Sequence, residues 1–254
     1  MKRREFLKAG GVGLAASTVA APAIAQSMPE IRWRLAASWP KSLDTLYGGC
    51  EYFCKRVAEI TDNRFRIQSF AAGEIVPGLQ VLDAVSNGTV EMGNTALYYY
   101  WGKNAWVGPY DDEKLGFVKV AKYYYYPGWW EGTGQGHNVI NIERWNALPK
   151  AYQAAVTAAS NECFTWVTGK YDFVNPPALK RLISAGAILR PFPQEVLEGC
   201  YSAANEVYSD LSKTNPHFAK MYASLTAYRG DSLMWMQVAE LSFDSFMMRM
   251  RTRT

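Results

Sequence analysis

The sequence predicts an α/β protein in which one βαβαβ lobe is followed by a largely helical half. Three observations carry this. Between residues 31 and 95, stretches of alternating apolar residues are interleaved with stretches of helical apolar spacing, the pattern of a doubly wound parallel sheet. From Arg144 onward helical spacing dominates, with windows at 149–171, 176–185, 193–212 and 215–248. The chain of 254 residues is 49% hydrophobic and 20% charged, the balance of a globular protein.

Taken in order, Ile31, Trp33 and Leu35 alternate with polar neighbours and predict a strand over 31–36, ended by Ser38-Trp39-Pro40. Leu46, Cys50, Phe53, Cys54, Val57 and Ile60 fall on one helical face, with Ser42 or Asp44 available as cap. Arg64–Phe70 reads as a second strand with Phe65 and Ile67 inward, and Pro77-Gly78 opens a second helix carrying Leu79, Leu82 and Val85. Asn87-Gly88 is a turn signal, after which 89–95 alternates as a third strand. Lys114–Tyr126 reads as a helix stopped by Pro127-Gly128; His137–Ile142 and Ile188–Pro191 read as short strands.

Residues 1–25 read as an export signal. Lys2-Arg3-Arg4 precedes a short, weakly apolar run from Ala9 to Ala21, and Ala23-Ile24-Ala25 offers a cleavage site. The paired arginines with Phe6 and Leu7 resemble a twin-arginine motif. Removing this segment takes +3 of the formal +4 charge with it, leaving no basic face for nucleic acid. Cys50 and Cys54 share one helical face at a separation too long for an unstrained disulfide and read as core thiols; Cys163 and Cys200 also fall within helical patterns, and no disulfide framework is expected.

The stretch from Val81 to Tyr110 organises the chain: a helix end, a turn, a strand, then the aromatic run Tyr98-Tyr99-Tyr100-Trp101. In α/β folds ligands bind where loops leave the carboxyl ends of parallel strands, and Tyr or Trp rings there supply apolar walls with polar handles.

Several motifs together resemble the DctP-type solute-binding proteins of TRAP transporters. They are Trp33–Pro40 (WRLAASWP), Val81–Val85 with Gly88–Met92, Tyr98–Lys103 (YYYWGK), Trp106–Asp112 (WVGPYDD) and the Tyr123–Trp130 run. The resemblance spans nearly all of the chain after the export signal. It implies a periplasmic, two-lobed, non-enzymatic protein that holds an organic acid, such as a 2-oxo or hydroxy carboxylate, in its cleft. The acid is passed to membrane permease subunits driven by a sodium gradient. Tyr98 and Tyr100 would line the cleft and hydrogen-bond the ligand. Trp106 would form an apolar wall and lend its backbone carbonyl to a cation where one is bound. No other cofactor is implied. For Tyr99 and Trp101 packing is the simpler role.

One departure stands out. In the family a long segment separates YYYWGK from WVGPYDD and builds most of the second lobe; here only Asn104 and Ala105 intervene. The absent segment resembles the one that carries the family's ligand-gripping arginine. The expected organisation is therefore a signal peptide over 1–25, a βαβαβ lobe over 26–103, and a remnant of second lobe, hinge and C-terminal helices over 104–254. The long last helix is a candidate homodimer surface. Two other readings stay open: a hydrolase using His137 with Cys163 or Asp111, and a sugar binder stacking Trp129, Trp130 and the tyrosines. A third is a deleted product without function. Asp111 and Asp112, adjacent on one loop, are expected to face water.

Overall fold

A computed structural model of the chain describes residues 28–96, 108–128 and 136–251. The chain divides into two compact units, Met1–Lys122 with Gly134–Gly186 and Tyr123–Thr133 with Ala187–Thr254.

The first unit follows the predicted βαβαβ order. Strand β1 (Ile31–Ala37) leads to helix α1 (Leu46–Ile60), strand β2 (Phe65–Phe70), helix α2 (Val81–Ser86) and strand β3 (Met92–Thr95). β1 pairs in parallel with β2, Ile31 opposite Phe65, and with β3, Leu35 opposite Met92. After helix α3 (Pro109–Leu115) and strand β4 (Tyr123–Tyr126) comes β5 (His137–Ile140), which returns to this sheet antiparallel to β3. The order is β2-β1-β3-β5. Helices α4 (Ile142–Ala147) and α5 (Lys150–Ser184) follow.

Period-2 alternation divides the sheet's side chains between two faces. One carries Trp33, Leu35, Phe65, Ile67 and Met92 into a core with Cys50, Phe53 and Val57 of α1 and Tyr152, Val156, Ala159 and Cys163 of α5. Phe65 stands edge-on to Trp33 at 5.0 Å and stacks on Tyr152 at 5.4 Å. The other face carries Ala36 against Val81, Ala84 and Val85 of α2. Gly93 has no side chain because α2 crosses there: a Cβ would sit 2.4 Å from Val81 Cγ1.

Four expectations need correction. β3 begins at Met92 and not at 89, because Thr89 and Val90 complete the turn: Asn87 Oδ1 accepts from Thr89 N at 2.9 Å and Val90 N donates to Ala84 O. The Lys114–Tyr126 helix ends at Leu115, where Gly116 adopts the left-handed conformation at φ 73. Its last four tyrosines form β4 instead, paired in parallel with β6 (Ile188–Pro191). The windows 149–171 and 176–185 are one helix, α5, with Pro176 and Pro177 inside it. An internal proline costs roughly 3 kcal/mol; burial of Tyr171 before the prolines and of Ala178 and Leu182 after them offsets this. Finally, the single pattern at 215–248 is α7 (Pro216–Met236), a π turn (Gln237–Leu241) and α8 (Ser242–Arg251).

The second unit comprises β4 and β6, α6 (Gln194–Thr214), α7 and α8. Tyr125 stacks on Phe192 at 5.0 Å, and Phe192 N donates to Tyr126 O at 2.8 Å. Tyr208 of α6 meets Phe218 and Tyr222 of α7. No described residue of α6, α7 or α8 is buried, and Met221, Leu225, Leu233, Trp235, Leu241 and Phe246 are each more than half exposed.

Candidate functional site

The carboxyl ends of β1 and β3 and the start of β5 meet at one end of the sheet, where an α/β fold places its ligands. Polar side chains lock this end on both faces. On the α5 face, Trp39 Nε1 donates to Asn94 Oδ1 at 2.6 Å, and Asn94 Nδ2 donates to Asn138 Oδ1 at 2.8 Å. Asn138 Nδ2 continues the chain to Ser160 Oγ on α5 at 3.1 Å. On the α2 face, Ser38 Oγ donates to Gly78 O at 2.6 Å and is bonded to Thr95 Oγ1 at 2.7 Å. Polar residues at the last positions of two strands were the available sequence signal for Ser38, Asn94 and Thr95. Asn138 and Ser160 had none, because only tertiary pairing brings them here.

From Thr95 the chain runs into the segment expected to carry the ligand contacts. Tyr98, Tyr100 and Trp106, with Tyr99, Trp101 and Lys103, lie outside the described residues, as do Trp129, Trp130 and the export signal. What the structure does describe is the anchorage at Gly108, where the chain re-emerges. Tyr110 N donates to Asn175 Oδ1 of α5 at 3.1 Å, and Gly108 lies so close that a Cβ would meet Asn175 Nδ2 at 2.8 Å.

Asp111 and Asp112 do not face water: their exposures are 0% and 6%. Pro109 starts α3, so both fall in its first turn, where carboxylates are favoured by the helix dipole. Asp111 accepts from Thr45 Oγ1 at 2.9 Å and from Tyr171 Oη at 2.6 Å, joining the start of α1 to α5. Next to this knot Asp44 receives Lys114, Lys170 Nζ at 3.2 Å and Tyr110 Oη at 3.3 Å. Burial pushes the Asp44 carboxyl up, but the two lysines outweigh it and hold it below the ordinary carboxylate value. The ammonium of Lys114 also reaches Ser42 O and lies over the Tyr110 ring. That of Lys170 reaches Asp44 O and lies over Trp166.

Cys50 and Cys54 are core thiols, as the sequence suggested, and Cys163 joins them, whereas Cys200 on α6 is only partly buried. Cys50, Cys54 and Cys163 are free and buried; burial pushes Cys50 well above its usual value, Cys54 up to about 12 and Cys163 to about 11. Cys163 Sγ donates to Gly49 O on the α5 face of the sheet. His137 shares the opposite face with Thr95, since its neighbour Asn138 is bonded to α5. The sheet therefore stands between His137 and both Cys163 and the α1–α5 knot that holds Asp111. Among the described residues no group of three His, Cys, Asp or Glu is arranged to hold a metal ion.

Comparison with known proteins places this geometry. The chain matches the DctP family, bacterial extracellular solute-binding protein, family 7, in two stretches, residues 35–109 and 104–215. It is 30% identical to the monocarboxylate 2-oxoacid-binding periplasmic protein of Nostoc sp. PCC 7120, over 97% of this chain and 99% of that one. Among solved structures it resembles a TRAP transporter solute-binding protein from Bordetella bronchiseptica RB50 (32% identity, TM-score 0.85, 89% of this chain and 99% of that chain). That protein is a mixed-occupancy dimer with co-purified calcium and picolinate in a bound active site against an apo site. A TRAP periplasmic solute-binding protein from Colwellia psychrerythraea with bound calcium and pyruvate shares the fold (18% identity, TM-score 0.78, 85% of this chain and 99% of that chain).

The chain belongs to the DctP family of TRAP-transporter solute-binding proteins, a family of transport receptors and not of enzymes. Its two matched stretches meet at 104–109, where YYYWGK abuts WVGPYDD. The alignment to the Nostoc protein runs over 360 positions against 254 residues here, so more than a hundred have no counterpart. The fold is accordingly one complete βαβαβ lobe with a helical C-terminal half, and the second lobe is largely missing.

Proposed function

We propose that the chain is the periplasmic solute-binding subunit of a TRAP-type, sodium-gradient-driven transporter for organic acids such as 2-oxo or hydroxy carboxylates, with binding weakened by the absent segment. The observation that carries this is the ordered polar end of β1, β3 and β5, from which the chain leads on to the Tyr98–Trp106 segment, in a member of this family. Residues 26–103 supply the N-terminal lobe, and 104–254 the hinge, the C-terminal helices and what remains of the second lobe. Tyr98 and Tyr100 contact the acid, and Trp106 walls it and offers its carbonyl to an accompanying cation. Relatives hold calcium with picolinate, or calcium or sodium with pyruvate. The cation is expected to enter with the acid. The partners are the acid and the permease subunits, not nucleic acid.

A thermal-shift screen tests the solute class. At 50 mM acid and a dissociation constant of about 1 mM, the folded state gains about 2.3 kcal/mol, roughly 5 °C or more in melting temperature. Pyruvate, lactate or succinate should give this shift and neutral sugars none; the reverse result would favour the sugar-stacking reading.

Export by the twin-arginine route accounts for residues 1–25. Replacing Arg3-Arg4 with Lys-Lys is expected to abolish it, and the periplasmic protein should begin at Gln26 or Ser27. Met1 at the N-terminus of periplasmic material would refute the cleavage. The apolar side chains left exposed on α7 and α8 suit a homodimer through this long helix. Sedimentation equilibrium of the uncleaved 28.5 kDa chain should then return about twice that mass; a monomer at micromolar concentration would rule the dimer out.

A further inference from the structure

Among the described residues of the second unit only Ala187 is buried. The two-stranded sheet of this unit shows what the lack of a core leaves open. β4 and β6 run parallel, with Tyr123 opposite Ile188 and Tyr125 opposite Arg190. Residues two apart on a strand share a face, and so do partners in register. Tyr123, Tyr125, Ile188 and Arg190 therefore project together, and Phe192 extends them, its ring stacked on Tyr125 at 5.0 Å. Tyr123, Tyr125 and Ile188 are 58%, 49% and 41% exposed. Arg190 is exposed too and makes no ion pair among the described residues. Parallel strands are normally covered on both faces, and a sheet of two strands is marginal alone in water. In the first unit, by contrast, both faces of the sheet carry buried clusters.

What is missing is identified by its place and its length. The segment that relatives carry and this chain lacks falls where the two matched stretches meet, at 104–109, shortly before β4. The unit that follows this seam is the one left without a core. We propose that the face of Tyr123, Tyr125, Ile188 and Phe192 is an acceptor surface for that segment supplied by a second polypeptide, which makes this chain one half of a two-chain receptor. The fitting element carries an apolar stripe to cover the rings and a carboxylate to meet the Arg190 guanidinium. Exposed tyrosines beside an uncommitted arginine are the side chains that dominate binding energy at protein interfaces. This goes beyond the organic-acid reading and does not depend on it.

The experiment uses the full chain and two probes. They are the polypeptides of the Nostoc and Bordetella bronchiseptica proteins that lie between their counterparts of YYYWGK and WVGPYDD, each made as a separate chain. Calorimetric titration should show one-to-one binding of at least one probe. Amide exchange at Tyr123–Tyr126 and Ile188–Pro191 should then slow by about tenfold or more, while β1, β2 and β3 keep their rates. Tyr125→Asp should weaken binding by about tenfold or more. Arg190→Glu, which reverses a charge without touching the packing, should do the same and keeps the test open if Tyr125→Asp disturbs the ribbon. No binding by either probe would overturn the inference. So would binding that leaves β4 and β6 exchanging at their free rate, or that both variants retain. Slowing of β4 and β6 as the chain alone is concentrated would give the face to a second copy and overturn the inference as well. The solute is read separately: no response to about 50 mM pyruvate, lactate or succinate, with or without bound probe, would sink the organic-acid reading and leave this one standing.

Discussion

Calorimetric titration with pyruvate, lactate or succinate is expected to show no dissociation constant tighter than about 1 mM. The segment absent between YYYWGK and WVGPYDD resembles the one that gives the family its ligand-gripping arginine. Losing a buried, hydrogen-bonded charge partner costs on the order of 2–5 kcal/mol. At about 1.4 kcal/mol per decade this is a weakening of roughly thirty- to several-thousand-fold. Closure of two lobes around the acid, which would keep water out, is reduced as well. The obvious substitute cations of the first unit are already committed. Lys114 and Lys170 each donate to Asp44 and to a backbone carbonyl, and each lies over an aromatic ring. Micromolar affinity would mean that another cation has taken over the carboxylate, and Lys103→Ala and Arg190→Ala would show which.

Asp111→Ala is expected to lower folding stability by about 2–4 kcal/mol, read by urea denaturation. The carboxylate is fully buried and takes bonds from Thr45 Oγ1 and Tyr171 Oη. Alanine removes both bonds and leaves a small cavity among three helices. Asp111→Asn keeps one carbonyl oxygen and should lose about half as much. A loss below about 0.5 kcal/mol in the alanine variant would show that the Thr45–Asp111–Tyr171 knot does not hold α3 in place. Because Tyr110 and Gly108 are tied to Asn175 beside it, this knot fixes the point at which the Trp106 segment rejoins the lobe.

Much of the first lobe was legible because its signals are local. Trp33 and Leu35, then Cys50, Phe53 and Val57, point inward at periods of two and 3.6, and each does so in the fold. What failed was decided by distant partners. Tyr123–Tyr126 carry an ambiguous pattern, and the strand that settles them, Ile188–Pro191, lies more than sixty residues on. Pro176 and Pro177 forecast a helix break, but the packing of Tyr171, Ala178 and Leu182 outweighs it. Adjacent aspartates are usually solvated; only the tertiary arrival of Thr45 and Tyr171 makes a buried site for Asp111. In the candidate site, Asn94 and Thr95 stood at a readable strand end, whereas Asn138 and Ser160 depend on β5 returning antiparallel to β3.

The connection that leaves the first lobe after Ala96 and returns to it at Gly108 bears on how such a chain can vary. The sheet, α1, α2 and α5 take their described core from residues before and after this junction, so the junction behaves as a socket. Enlarging a connection of eleven residues by about a hundred adds only about 2 kcal/mol of closure entropy if the insert were floppy, since the cost grows with the logarithm of length. An insert that folds on itself costs less. A whole lobe can thus be plugged in or removed at this one seam while the first lobe keeps its shape.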